Sequence, residues 1–219
     1  MCSAGVTRFA QRVLSPADIA DLAVLEVGAM DINGSLRPFL SSLVPKSYLG
    51  VDIRPGPSVD EVCDAGALVA RYGERAFDIV ATTEMLEHVQ HWRAAVSNMK
   101  RVLKPNGVLL LTTRSEGFPY HGFPHDFWRF SVDDARVIFG DLTIETLEAD
   151  PSKPGIFLKA RRPVDFAERP LDDIELLSMI KGRRIRDVSE FDAALFNVKY
   201  QAREAARKAR RVVRQQLSR

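Results

Sequence analysis

The stretch LAVLEVG, Leu22–Gly28, is a short apolar run that stops at a glycine, and its reading decides the fold. It suits a strand buried on both faces of a parallel sheet. Comparable runs recur downstream: SYLGVDI (Ser47–Ile53), SVDEVCDA (Ser58–Ala65), AFDIVATT (Ala76–Thr83) and NGVLLLTT (Asn106–Thr113), with helix-permitting segments between them. That alternation predicts an α/β fold with a doubly wound, mostly parallel sheet. HWRAAVSNMKRVL (His91–Leu103) reads as a helix stopped by Pro105 and Gly107, and SPAD (Ser15–Asp18) as the start of a short one, with a Ser cap and Pro at the first helical position. LTIETLEA (Leu142–Ala149) and GIFLKARR (Gly155–Arg162), joined by the turn-rich DPSKPG, predict an antiparallel hairpin at the edge of the sheet.

The composition of the 219 residues, 46% apolar and 27% charged, predicts one main core plus an appendage. The pattern changes after Pro163, which divides the chain into residues 1–163 and a helical extension, 164–219. No apolar run is long enough to cross a bilayer, and the start MCSAGVTRFAQRV lacks a signal-peptide core, so the expected location is the cytoplasm. Cys2 and Cys63 are too few for a disulfide framework and are read as reduced thiols. The net charge of +2 hides an asymmetry: Lys199–Arg219 carries +7, so residues 1–198 carry −5.

Ligands of doubly wound sheets bind where the carboxyl ends of strands meet the following loops. After the first strand comes EVGAMDINGSL (Glu26–Leu36), in which Gly28 allows close backbone approach; Met30 replaces the second glycine of a phosphate-binding G-x-G-x-x-G, so a phosphate cradle is not expected. Asp52 ends the second strand, 26 residues after Glu26, where a carboxylate can accept both hydroxyls of a ribose; Asp64 ends the third, where it can accept from the amine of a purine.

VLEVGAMDINGSL, YLGVDI, CDA, FDIVATTEMLEHV and LKPNGVLLLTT together resemble, in order, the successive motifs of class I S-adenosylmethionine-dependent methyltransferases over residues 20 to 160. The resemblance implies a seven-stranded sheet with a final antiparallel strand and S-adenosylmethionine as cofactor. It places Glu26 and Gly28 near the methionine part, Asp52 on the ribose and Asp64 by the adenine, with Ile53, Ala65 and Thr83 beside them. Met30 departs from the family's pattern and leaves Asp31 and Asn33 as further candidate contacts.

TTEMLEHVQH (Thr82–His91) follows the fourth strand. On a helix, Glu84, Glu87, His88 and His91 share one face and Met85, Leu86 and Val89 the other. That is either a solvent face or a site. The other two histidines, His121 and His125, lie in GFPYHGFPHDFWRF (Gly117–Phe130), after the fifth strand, together with six of the chain's eighteen aromatics. Tyr120, His121, Phe123, His125 and Trp128 are candidates for an acceptor wall or lid, and Phe127 and Phe130 for a minor core.

Methyl transfer to oxygen is an in-line displacement in which the hydroxyl must also lose its proton. An imidazole, here His88 or His125, can take it, or a divalent metal can lower the hydroxyl's pKa. Glu84, Glu87 and His88 at i, i+3, i+4 offer three ligands, with His125 a fourth. The arrangement resembles metal-dependent O-methyltransferases, including small-RNA terminal 2'-O-methyltransferases and ubiquinone-pathway enzymes, in which E-x-x-E-H binds a divalent metal. Mixed ligation suits Mn, Fe, Co or Zn at least as well as Mg. The expected reaction is O-methylation of a small-molecule or sugar acceptor. Its rivals are a nucleic-acid methyltransferase using the basic tail, which the acidic body disfavours, and a non-catalytic cofactor-binding partner protein. The tail's stripe of Ala202, Ala205, Ala206, Ala209, Val212, Val213 and Leu217 predicts either a helix that meets a partner, another copy or an anionic surface, or a frayed, solvated terminal helix.

Overall fold

The computed structural model describes residues 3–122 and 125–217. In chain order the elements are α1 (Ala4–Val13), α2 (Pro16–Ile19), β1 (Ala23–Val27), α3 (Arg37–Ser42), β2 (Ser47–Asp52), β3 (Glu61–Val62), α4 (Leu68–Tyr72), β4 (Phe77–Thr83), α5 (Trp92–Val102), β5 (Leu103–Arg114), β6 (Trp128–Arg129), α6 (Val132–Ile138), β7 (Thr143–Ala149), β8 (Gly155–Arg161), β9 (Leu176–Ser178), β10 (Arg183–Ile185) and α7 (Glu190–Leu217).

Seven strands form one sheet in the order β3-β2-β1-β4-β5-β8-β7. β8 runs antiparallel to β5 and pairs with β7 as the expected edge hairpin. The order turns back between β1 and β4, which opens a crevice at the carboxyl ends of β1, β2 and β4.

The central strands β1, β4 and β5 are largely apolar because both of their faces are covered. On β5, Val108 and Leu110 pack with Phe9, Ile19 and Leu40 from α1, α2 and α3, whereas Leu109 and Leu111 pack with Trp92, Val96 and Met99 of α5. α2 opens as expected: Ser15 caps it, and Asp18 Oδ2 accepts from the Ser15 amide at 3.0 Å. β3 is far shorter than the predicted Ser58–Ala65: only Glu61 and Val62 pair with β2, and Asp64 turns away to cap the next turn.

A second sheet, β10-β9-β6, was not expected. It joins the aromatic segment to the chain beyond residue 163, and Leu171, Leu176, Ile185, Val188 and Ala193 enter the same hydrophobic cluster as α5. Among the described residues, no helix is long and apolar enough to cross a membrane.

Candidate active site

A cavity of about 900 Å³ opens at the carboxyl ends of β1, β2 and β4. Its nucleotide side is lined by Gly28, Met30, Asp52, Ile53, Asp64 and Ala65. Gly28 has φ +76°, and a Cβ there would lie 2.4 Å from Met85 Cγ, so only glycine fits. Asp52 is steadied by the Met30 and Arg54 amides at 3.2 and 3.3 Å, long bonds that leave its lone pairs facing the cavity free to accept. Asp64 Oδ1 accepts from the Gly66 amide at 2.6 Å. Two expected contacts lie elsewhere. Glu26 is buried, bonded to the Tyr48 hydroxyl at 2.6 Å and off the cavity wall; burial raises its pKa above the usual glutamate range. Thr83 is buried at the end of β4, also off that wall. Asp31 accepts from the Gly34 amide at 2.8 Å.

The segment after β4 is not the helix that the spacing predicts. Glu84 sits in the left-handed region at φ +54°, its amide still bonded to Thr112 at 2.9 Å; only Leu86–His88 form a single 3-10 turn, and α5 begins at Trp92. A non-glycine residue held there costs of order 1 kcal/mol and is typical of functional sites. Three of the four polar residues do not face solvent either. Glu84 and Glu87 are buried, His88 lines the cavity and His91 is exposed at its mouth.

These side chains separate into two groups. Glu84 forms an ion pair with Arg114 and accepts from the Thr112 hydroxyl at 2.9 Å. Burial and the neighbouring Glu87 charge push Glu84 up to about 7. Glu87, His88 and His121 form the second group, with one donor atom from each within 4.8 Å of the others. Glu87 Oε2 accepts from the Thr113 hydroxyl at 2.8 Å. Oε1 is buried without a hydrogen-bond donor among the described residues, and the Nε2 atoms of His121 and His88 lie 3.6 and 4.0 Å from it. Burial opposes ionisation of Glu87, but the two imidazoles and Thr113 outweigh it and hold the carboxyl below its ordinary range.

Each imidazole is oriented from behind. His88 Nδ1 lies 2.6 Å from the His125 carbonyl, which can only accept, so Nδ1 carries a proton, and in the neutral imidazole this leaves the lone pair on Nε2. His121 Nδ1 lies 2.9 Å from Asp126 Oδ2. Arg129 grips Asp126 through both oxygens, at 2.5 and 2.7 Å, and donates to the Phe118 and Pro119 carbonyls, tying down the loop that carries His121. Burial alone would lower His121, but Asp126 and Glu87 push it up to about 9.

A buried carboxylate oxygen without a donor, two Nε2 atoms converging on it and a carboxylate behind one imidazole fit a divalent cation bound by Glu87, His88 and His121. The expected set of Glu84, Glu87, His88 and His125 is not what comes together. Glu84 is engaged by Arg114, and the His125 ring turns to Asn197, whose Nδ2 lies 2.9 Å from His125 Nδ1.

Phe127 and Phe130 are buried core residues, as expected, but so is Trp128, whose indole donates to the Val89 and Gln90 carbonyls at 3.1 Å. Tyr120 packs on Phe196 and Tyr200 of α7, with ring centroids 5.1 and 4.6 Å away. Phe123 lies outside the described residues. The reading of the sequence missed Asp126 and Arg129 as supports; their signal is an acid and an arginine three apart beside a histidine, HDFWR.

The sheet order, the antiparallel β8 and a nucleoside-sized cavity flanked by Asp52 and Asp64 define the class I methyltransferase arrangement. The sequence profile described as "Methyltransferase domain" matches residues 2–147, and the chain belongs to that family of S-adenosylmethionine-dependent methyltransferases. No curated protein sequence matches the chain. Solved structures share the fold at low identity. The 1,6-didemethyltoxoflavin-N1-methyltransferase of Burkholderia thailandensis, bound to S-adenosylhomocysteine, is 14% identical with TM-score 0.58, over 73% of this chain and 79% of that one. An S-adenosylmethionine-dependent methyltransferase from Mesorhizobium loti is 14% identical with TM-score 0.53, over 73% and 99%. The [4+2]-cyclase SpnF is 17% identical with TM-score 0.55, over 73% and 80%.

Proposed function

We propose that this methyltransferase transfers the methyl group to a hydroxyl of a small-molecule or sugar acceptor, with a divalent metal such as Mn, Zn or Mg held by Glu87, His88 and His121. The observation that carries the reading is that cluster: three donor atoms within 4.8 Å, one of them His88 on the wall of the cavity that Asp52 and Asp64 also line. In this reading Asp52 accepts from the ribose hydroxyls, Asp64 from the adenine amine, and Gly28 and Met30 border the methionine part. Ile53 and Ala65 cover the adenosine.

When bound, the metal lowers the pKa of the acceptor hydroxyl and favours acceptors with adjacent oxygens, such as a sugar diol or catechol. Asp126 holds the His121 ring, and the His125 carbonyl keeps the His88 Nδ1 proton in place. His125 is the reserve imidazole for a general-base route, through the Nδ1 that now faces Asn197. Residues 1–163 serve as the catalytic unit and 164–219 as an extension.

The test is a screen of sugars and catechols with labelled S-adenosylmethionine, run with added Mn, with chelator, and with Glu87→Gln and His121→Ala. Expected are label on oxygen, loss with chelator and restoration by Mn in the parent protein, with Mn binding by calorimetry lost in both variants. Transfer untouched by chelator overturns the metal assignment, and label on nitrogen overturns the choice of acceptor.

A further inference from the structure

Helix α7 meets the body along one face only. Ala193 is buried there, and Phe196, Asn197 and Tyr200 are half-buried, whereas Phe191, Leu195 and Val198 are 73%, 40% and 68% exposed. At 100° per residue the exposed set falls on the side opposite the body-facing set. Ala202 and Ala205, both exposed, extend it. Positions 191, 195, 198, 202 and 205 are spaced four and three residues in turn, and the sequence carries the same spacing on through Ala209 and Val212. That alternation is the seam of a two-stranded coil.

Bulk and charge are both unevenly spread along this seam. Phe, Leu and Val occupy its first half and alanine most of its second, while Lys199–Arg219 carries +7 against −5 for the rest of the chain. Two such helices side by side in parallel bring the basic halves together and stack bulky layers at one end and thin ones at the other. The antiparallel arrangement reverses both faults. In sequence register, with the centre between positions 203 and 204, Ala202 comes level with Ala205 and Val198 with Ala209, so the bulkier half of each seam runs along the half of its partner that is mostly alanine. Each basic half then lies beside the first half of the other helix, which carries Glu190 and Asp192, and away from the other basic half. At the flanks Lys199 faces Ala206 and Lys208 faces Gln201, so no like charges meet. The body lies on the far side of α7 from the seam and does not obstruct a partner.

We propose that α7 is a dimerisation helix that pairs antiparallel with α7 of a second copy of this chain through the Phe191–Leu195–Val198–Ala202–Ala205 seam. Sedimentation velocity of the full chain tests it. A species of twice the chain mass is expected, and Leu195→Glu with Val198→Glu weakens association about thirtyfold or more, as loss of central interface anchors does. Both positions are exposed, so circular dichroism and S-adenosylhomocysteine affinity remain those of the parent.

Orientation is read in a Cys2→Ser background, in which an equimolar mixture of Val198→Cys and Ala209→Cys chains cross-links on oxidation and neither chain does so alone. Cross-linking of the Val198→Cys chain with itself overturns the antiparallel arrangement. A parent chain that stays monomeric overturns the proposal. So does one that remains monomeric while co-floating with phosphatidylserine vesicles or comigrating with RNA, which then names a membrane or a nucleic acid as the occupant.

Discussion

Replacing Gly28 by alanine tests the nucleotide side of the site at its tightest point. The new Cβ meets two penalties. With φ at +76°, an L side chain in this region costs about 1–2 kcal/mol. The Cβ would also stand 2.4 Å from Met85 Cγ and 2.6 Å from Met85 Cβ, well inside the ~3.5 Å at which carbon atoms rest in contact. Rotating the Met85 side chain moves Cγ but not Cβ, so backbone must shift, at about 1–3 kcal/mol for such overpacking. The total, about 2–5 kcal/mol, predicts a fall in Tm of about 5–20 °C for a chain of this size. Because Gly28 and Met85 both line the cavity, S-adenosylhomocysteine binding measured by calorimetry falls as well. Met85→Ala removes Cγ and the atoms beyond it but keeps Cβ, so the double variant recovers only part of the loss, with a favourable coupling of about 1 kcal/mol. A Tm within about 2 °C of the parent, or strict additivity of the two changes, would refute the steric argument.

Asp52→Ala is expected to weaken S-adenosylhomocysteine by about a hundredfold, the loss of two hydrogen bonds to a charged acceptor, with Tm nearly unchanged because the carboxylate is only half-buried. A loss below about threefold would remove Asp52 from the ribose contact. Acid stability is set partly on the opposite side of the sheet. Burial opposes ionisation of Asp18 and Glu145. Ser15, Lys159 and Arg161 around Asp18, and Arg161 and Lys159 around Glu145, nonetheless hold both carboxyls below their ordinary values of 3.8 and 4.5. A depressed carboxyl contributes its full stability above the unfolded-state pKa and loses it as pH falls through the lower folded value. Urea titrations should therefore show stability declining below about pH 4.5, and Asp18→Asn with Glu145→Gln should flatten that decline. An unchanged slope would count against these ion pairs.

The sheet was legible because its central strands are buried on both faces, so continuous apolar runs such as Leu22–Gly28 and Asn106–Thr113 stand out against the helices between them. Asp52 and Asp64 were legible as strand-end carboxylates that line the cavity. The stretch from Glu84 to His91 was misread as a helix because spacings of three and four suit a single 3-10 turn as well as a helix. The left-handed Glu84 that turns the chain leaves no mark in the spacing. Glu84 was therefore grouped with Glu87, although Arg114, thirty residues away, claims it. Which loop histidine approaches Glu87 depends on the Asp126–Arg129 clamp, and His121 and His125 are equivalent by spacing alone. The second sheet escaped notice because strands of two or three residues carry no measurable period.

The contacts of α7 with the aromatic loop, Asn197 with His125 and Phe196 and Tyr200 with Tyr120, bear on how such a protein can be recombined. The nucleotide side of the crevice, from Gly28 to Ala65, is built from the sheet and its connecting loops and can be transplanted as a unit, although Glu190 of α7 also lines the cavity. The histidine loop cannot, because its shape is held in part by residues more than seventy positions further along the chain. A chimaera that exchanges the carboxyl-terminal segment for that of another family member should keep its methyl donor and lose the arrangement that meets the acceptor, so the two halves of the site are inherited under different constraints.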